Sequence, residues 1–95
     1  MRLDKKEKEA LRFALKDFEG EVYIFGSRLD DRKNGGDIDI LLIPGKKASS
    51  LKLSLGIQTR FFSKCEQGID VLVYNDSLFC KEVLKNAKRI DISRI

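Results

Sequence analysis

Two aspartates one residue apart, Asp37 and Asp39, open a stretch that otherwise has the composition of a β-strand, DIDILLIP from 37 to 44. Asp is uncommon inside strands because its carboxylate loses hydration there and gains little packing. Side chains two residues apart on a strand share a face, so the two carboxylates lie together, roughly 6–7 Å apart at Cα. They repel each other unless a cation lies between them. Oxygen ligands without histidine or cysteine favour Mg²⁺ or Mn²⁺ in such a place.

A third carboxylate, Asp70, stands near the start of another predicted strand, IDVLVY from 69 to 74. If that strand neighbours the first, three carboxylates converge on one or two metal ions. The alternative interpretation is structural: Asp70 would be a salt-bridged residue at a strand end, and Asp37 and Asp39 would be turn residues helped by the glycine pair before them.

Gly26 and Ser27 end the first predicted strand, EVYIFGS, and nine residues separate Ser27 from Asp37. A glycine at such a turn lets a ligand approach the backbone closely, and the serine adds a hydroxyl donor. If a helical turn follows, its free N–H groups form an anion site. The turn and the aspartates together therefore predict a site for a metal–triphosphate complex.

Three basic residues follow the Gly-Ser turn and are candidates for neutralising phosphate charge. They are Arg28, immediately after the turn, and Arg32 and Lys33 in the loop beyond it. We predict that Arg28 contacts the nucleotide together with the turn.

The elements that position these residues follow from capping and periodicity. Helical and strand-like segments alternate along the chain, which is typical of an α/β domain of two or three layers. We predict a small mixed sheet of three strands, or slightly more, packed with about four helices. Capping signals predict helices after three points in the chain: Asp4, where Glu7 completes a capping box, Ser49 or Ser50, and Asp76 or Ser77.

Apolar spacing predicts which side of each helix faces inward. The middle segment is ambiguous because its leucines also alternate as in a strand, but its length favours a helix. Its predicted inward face comprises Leu51, Leu55, Phe62 and Cys65. The last helix is predicted to run through Ile90, with an inward face of Phe79, Val83 and Ala87.

The composition excludes several kinds of chemistry. The 95 residues include no histidine, so a Cys₂His₂ zinc site, a Ser-His-Asp triad and a Cys-His dyad are impossible. Cys65 and Cys80 are expected to fill core positions. The net charge of +4 is spread along the chain, which does not indicate nucleic acid as the main partner. With no signal-peptide pattern and no long apolar run, we expect a soluble, cytoplasmic protein.

The same motifs, in the same order, resemble those of the minimal nucleotidyltransferases of the DNA polymerase beta-like superfamily. The matching residues are Gly26-Ser27, Asp37-Ile38-Asp39 and Ile69-Asp70-Val71. The resemblance extends over residues 1–95 as a single nucleotidyltransferase domain with the nucleotidyltransferase fold. It implies that Asp37, Asp39 and Asp70 bind two Mg²⁺ ions, that Asp70 activates an acceptor hydroxyl, and that Gly26 and Ser27 hold the triphosphate of ATP.

The resemblance also carries an expectation about partners. Many family members have Ser immediately before the paired aspartates, where this chain has Gly36. Larger relatives carry a second, usually helical domain that binds the acceptor, whereas minimal members are typically encoded with a helical HEPN partner. The chain is therefore expected to be the MNT-type antitoxin of such a toxin–antitoxin pair.

Three functions remain to be distinguished. The leading hypothesis is Mg²⁺-dependent transfer of a nucleotidyl group, AMP from ATP, to a hydroxyl of the partner protein. The alternative is a non-catalytic module that neutralises a toxin by occluding it. A regulatory sensor that binds a nucleotide without transferring it is the third.

Overall fold

The structure is a computed structural model that describes residues 2–30 and 36–95. Within those ranges the chain forms three α-helices and four β-strands, with a short 3₁₀ turn at Gly26–Leu29. The helices are α1 (Lys5–Ala14), α2 (Ser50–Lys64) and α3 (Leu78–Lys85). The strands are β1 (Gly20–Phe25), β2 (Ile38–Pro44), β3 (Ile69–Val73) and β4 (Lys88–Ile90).

Each α-helix begins at a side-chain cap that the sequence predicts. At α1, Asp4 accepts from the Glu7 backbone N–H at 2.8 Å, and the Glu7 carboxylate accepts from the Asp4 N–H at 3.0 Å, which completes the capping box. Ser49 caps α2 and Ser77 caps α3, each through its hydroxyl and the N–H three residues on.

The four strands form one mixed sheet in the order β3-β2-β1-β4. β1 runs antiparallel to both β2 and β4, whereas β2 and β3 are parallel. From the sequence, the carboxylates are expected to lie close together if the strand of Asp70 neighbours that of Asp39. This condition is met, because β3 is the direct neighbour of β2.

The main core lies between one face of the sheet and the helices α1 and α2. That face presents every second residue of β2, namely Ile38, Ile40 and Leu42, and each of these is fully buried. Leu41 points to the opposite face, where α3 packs against β1 and buries Cys80. The two cysteines are both free and buried, so the prediction that they occupy the core is confirmed.

The predicted fold class is confirmed, but three details of the helices differ. α3 ends at Lys85, and residues 88–90 form the short strand β4, which pairs with β1. In α3 the buried side chain is that of Cys80, whereas Phe79, which was expected inside, is exposed. In α2 the buried side chains are Ile57 and Phe61. Of the predicted row, Leu51, Leu55 and Phe62 are exposed, and only Cys65, at the C-cap, is buried as predicted.

The difference in α2 has a simple physical reason. α2 carries two apolar rows, and periodicity alone does not tell which row contacts the sheet.

Within the two described ranges, no helix is long and apolar enough to cross a membrane.

Candidate active site

The candidate site lies on the face of the sheet opposite the main core, around Asp39 and Asp70. These two residues are register partners across the parallel strands β2 and β3. Asp39 is half-buried and also lies opposite Phe25, the last residue of β1. Asp70 is exposed. The strand register therefore brings two of the three predicted carboxylates side by side.

The pKa of the Asp39 carboxyl is raised above its ordinary value. Partial burial is the largest cause, followed by the charge of Asp70, a side-chain hydrogen bond with Asp70, and the charge of Asp37. Each of these contributions raises the pKa of Asp39, so among residues 2–30 and 36–95 no positive charge compensates it. A perturbed carboxylate beside a second carboxylate is a common feature of functional sites.

Asp37 lies beside this pair but is held differently. It precedes β2, is exposed, and packs against Gly68, where an added Cβ would lie 2.8 Å from the Asp37 Cγ. The Ile38 N–H donates to the Gly68 carbonyl at 3.1 Å, which fixes the start of β2 against the segment before β3. Across residues 2–30 and 36–95, no group of three acidic, His or Cys side chains is already arranged to hold a metal ion.

The Gly-Ser turn meets the start of β2 at two close contacts. Gly26 has φ +79°, and an added Cβ there would lie 2.5 Å from Asp39 Oδ2. Only glycine combines that backbone conformation with that approach. The turn is thus packed directly on the carboxylate that shows the raised pKa.

Gly36 makes the second contact and explains a departure from the family pattern. It has φ +87°, and an added Cβ would lie 2.6 Å from the Ser27 Oγ. A serine at this position would be strained and would collide with the Ser27 hydroxyl. The glycine therefore lets the segment before Asp37 lie against the turn.

The Arg28 side chain binds the carboxylate of Glu7. Its guanidinium is buried and donates two hydrogen bonds to the Glu7 carboxylate, both at 2.8 Å. Its Nε donates to the Gly36 carbonyl at 3.0 Å, and its Nη1 donates to the Arg2 carbonyl at 2.9 Å. The guanidinium thus supports the turn from within the protein, and its contact with a nucleotide stays a prediction.

Arg2 supports the same turn from outside. Its side chain donates to the Ser27 carbonyl at 3.1 Å and to the Asp30 carbonyl at 2.8 Å, and its backbone N–H donates to the Arg28 carbonyl at 2.8 Å. Arg2 and Arg28 together hold the backbone at Asp30 and Gly36. Arg32 and Lys33, the other predicted phosphate contacts, lie outside the described residues.

Sequence reasoning missed three residues of this arrangement. Glu7 has a signal in the sequence, the capping box, but that box does not indicate that the same carboxylate binds Arg28. Arg2 carries no local signal, because its partners are more than twenty residues away. The contact of Gly68 with Asp37 follows only from the neighbouring positions of β2 and β3.

The donor set fits a divalent metal ion. Asp37, Asp39 and Asp70 offer only carboxylate oxygens, which Mg²⁺ prefers. The raised pKa of Asp39 marks the place where a positive charge would relieve repulsion. The residues present are therefore compatible with Mg²⁺.

Comparison with known proteins identifies the fold. No protein-family profile matches the chain, and no curated sequence matches it significantly. Among solved structures, a chain of the toxin–antitoxin complex MntA–HepT matches with a TM-score of 0.63 and 15% identity, over 90% of this chain and 70% of that one. A toxin–antitoxin structure with AMP-PNP matches with a TM-score of 0.67 and 17% identity, over 86% and 70%.

A further match is to the complex of a tri-AMPylated HEPN toxin with its MNT antitoxin, from Shewanella oneidensis. Its TM-score is 0.57 at 18% identity, over 88% of this chain and 67% of that one. At these identities the likeness concerns the fold. The chain therefore has the nucleotidyltransferase fold found in these MNT–HEPN complexes, as its motifs predict.

Proposed function

We propose that this chain is a Mg²⁺-dependent nucleotidyltransferase that moves AMP from ATP to a hydroxyl of a partner protein. The observation that carries the proposal is the pair Asp39 and Asp70, aligned across β2 and β3, with Asp39 packed against Gly26 of the turn. Two carboxylates next to a turn that admits only glycine make a place for a cation and a phosphate together.

The solved complexes support two parts of the proposal, the HEPN-type partner and the use of ATP. One contains an MNT antitoxin with a tri-AMPylated HEPN toxin, and another contains AMP-PNP. By analogy, the partner of this chain is a helical HEPN-type protein, and the chain acts as its antitoxin within a single domain over residues 1–95. We expect the pair to work in the cytoplasm.

Each residue has a defined part in the proposed reaction. Gly26 and Ser27 hold the triphosphate through backbone N–H groups and the serine hydroxyl. The acceptor oxygen attacks the α-phosphorus as the bond to pyrophosphate breaks, and the Asp70 carboxylate takes the proton of the hydroxyl. Asp37, Asp39 and Asp70 are the residues that would hold Mg²⁺, which when bound would neutralise charge on the phosphates.

The test is a transfer assay with α-labelled ATP, Mg²⁺ and the HEPN-type protein encoded beside this chain. Wild type should label that protein, and Asp39→Asn should lower labelling by at least about a thousandfold, because several kcal/mol of charge stabilisation is lost. Asp76→Asn is the matched control, because it changes an exposed aspartate beyond the end of β3 and should transfer normally. Equal labelling by wild type and Asp39→Asn would refute the proposal.

A second candidate function is favoured by one observation. No three acidic side chains of the described segments are already arranged as metal ligands, and Asp37 is turned against Gly68. A module that neutralises its partner by occlusion alone would need no such arrangement. Under that function, Asp39→Asn would neutralise the partner as well as wild type, and no label would be transferred by either.

A further inference from the structure

Helix α2 leaves three large apolar side chains in water, and they lie in one row. The exposed fractions are 67% for Leu51, 52% for Leu55 and 62% for Phe62. Spacings of four and seven residues place them on the same side of the helix. Ile57 and Phe61, on another side, bury the helix against the core. Single exposed apolar residues are ordinary, but an aligned row forms a patch that indicates an interaction surface.

A shallow cavity adjoins the Phe62 end of this row. Its volume is about 390 Å³, and it lies between the last turns of α2 and the segment leading into β3. β3 is the outer strand at this edge of the sheet, and the Gln58 side chain donates to the Ile69 carbonyl there at 3.3 Å. The cavity is lined by Gln58, Thr59, Phe62, Gln67, Gly68 and Ile69. It offers space for an apolar side chain beside the exposed ring.

The charges at the two ends of the row are opposite and evenly placed. Lys52 lies beside Leu51 at the start of α2, and Glu66 follows the last turn, and both are exposed. Thr59 lies midway between Lys52 and Glu66, seven residues from each. Leu55 lies four residues before Thr59, and Phe62 lies three residues after it. When a second α2 helix lies antiparallel on the first, opposite charges therefore meet at both ends of the row, and apolar side chains meet between them.

We propose that the α2 row binds a second copy of this chain, with the two α2 helices antiparallel across a two-fold axis near Thr59. Leu55 of the second copy packs on Phe62, and Leu51 of the second copy enters the cavity beside it. Lys52 pairs with Glu66 of the second copy. Because the interface is isologous, each of these contacts occurs twice.

Charge complementarity selects a second copy over an unrelated partner. Lys47 lies just before α2 and Lys52 lies in its first turn, whereas Glu66 follows its last turn. Lys64, in that last turn, lies over the Phe13 ring on another side of the helix. A parallel arrangement would bring like charges together, whereas the antiparallel one pairs them with opposite charges. The surface is small, so the dimer should be weak and depend on concentration. It does not depend on the transfer reaction.

Sedimentation equilibrium of the full chain, from roughly 5 to 500 µM, tests the proposal across the range expected of a weak interface. The mean mass of wild type should rise toward twice the monomer mass. Leu55→Glu should remain monomeric at every concentration. Leu78→Glu is the matched control, because Leu78 is 81% exposed on α3, away from the row, and the same change there should leave the dimer intact.

Charge reversal tests the antiparallel register. Lys52→Glu and Glu66→Lys should each weaken the dimer by about tenfold, because a like-charge contact then occurs twice. The double variant should restore dimerisation to within about threefold of wild type, because each pair is again opposite in sign. Circular dichroism should show that all variants are folded, as expected for changes at exposed residues.

Three results would overturn the proposal. A wild-type monomer at every concentration would leave the row to a different protein. Equal loss of dimer in Leu55→Glu and Leu78→Glu would place the contact elsewhere, and additive weakening in the double charge variant would refute the antiparallel register.

Discussion

Two pairs of charged side chains adjoin the Gly26–Leu29 turn, and the fold treats them in opposite ways. Glu7 and Arg28 are both almost fully buried, and their charges compensate each other through two hydrogen bonds of 2.8 Å. Asp39 and Asp70 lie next to each other with the same charge, and the pKa of Asp39 is raised as a result of its burial and of this neighbour. The first pair is compensated within the chain, whereas no residue of the described part of the chain supplies an opposite charge to the second.

The difference distinguishes charged residues that hold the backbone in place from charged residues that would bind a ligand. A buried ion pair has exchanged its hydration for a fixed partner, so it holds backbone in place and reacts with nothing. A pair of like charges costs stability unless something outside the chain binds it, which is the property of a ligand site. Arg28 therefore belongs with the scaffold of the turn, and the aspartates belong with the site. Four predictions test this division, in order of decreasing effect.

The largest effect is expected from Arg28→Met. The change leaves the Glu7 carboxylate buried without its partner, and removing one member of a buried pair typically costs about 3–5 kcal/mol in the free energy of unfolding. Urea unfolding measures it. Arg89→Met is the control, because Arg89 forms only a long, exposed contact with Glu21 at 4.0 Å and should change stability by less than about 1 kcal/mol. Similar losses in both variants would contradict the structural role of the buried pair.

The next effect is expected from Gly26→Ala, which should destabilise the protein by roughly 1–3 kcal/mol. The added Cβ would be strained at φ +79° and would press on the Asp39 carboxylate. Transfer should fall more than stability predicts, because the turn and Asp39 move apart. Gly45→Ala serves as the comparison, since its Cβ would meet the Glu19 carbonyl at an ordinary 3.5 Å and should cost little. Normal transfer by a folded Gly26→Ala protein would argue against the site.

Mg²⁺ should stabilise the wild-type protein by completing the carboxylate pair. At ten times its dissociation constant, a ligand that binds only the folded state contributes about 1.4 kcal/mol. A rise in thermal midpoint with Mg²⁺ should therefore appear in wild type and be lost in Asp39→Asn. Arg89→Met, which lies outside the site, should respond as wild type does. An equal rise in Asp39→Asn would place the metal elsewhere.

The smallest effect concerns pH in metal-free buffer. Because the pKa of Asp39 is raised in the folded state, its contribution to stability is present when the carboxyl is protonated and is lost as pH rises through that pKa. Asp39→Asn should therefore be slightly more stable than wild type near neutral pH. The two unfolding free energies should converge as the pH falls and Asp39 takes up its proton. A variant less stable than wild type at neutral pH would show that the carboxylate is compensated after all.

Much of the fold and the choice of site residues could be predicted from local patterns. The caps at Asp4, Ser49 and Ser77 are short-range hydrogen bonds between a side chain and the backbone N–H three residues on, so residue type and spacing suffice. The strand alternation that puts Asp37 and Asp39 on one face is equally local. The family resemblance then extended these patterns to a fold that the solved structures confirm.

Long-range contacts decided the rest. Arg28 has the charge of a phosphate ligand, and only the packing of α1 on the turn shows that Glu7 occupies it. Phe79 and Cys80 are neighbours in sequence, and only the approach of α3 to the sheet buries one and exposes the other. β4 has three residues, too few for a pattern, and it is a strand because β1 offers it a free edge.

The sequence by itself determined where the three α-helices begin and which carboxylates share a face, because those properties depend on neighbours a few residues away. Only the tertiary structure decided which charges are compensated, which row of α2 is left in water, and how closely glycine backbone approaches the aspartates. These depend on distances between segments far apart in the chain, and no local spacing encodes them.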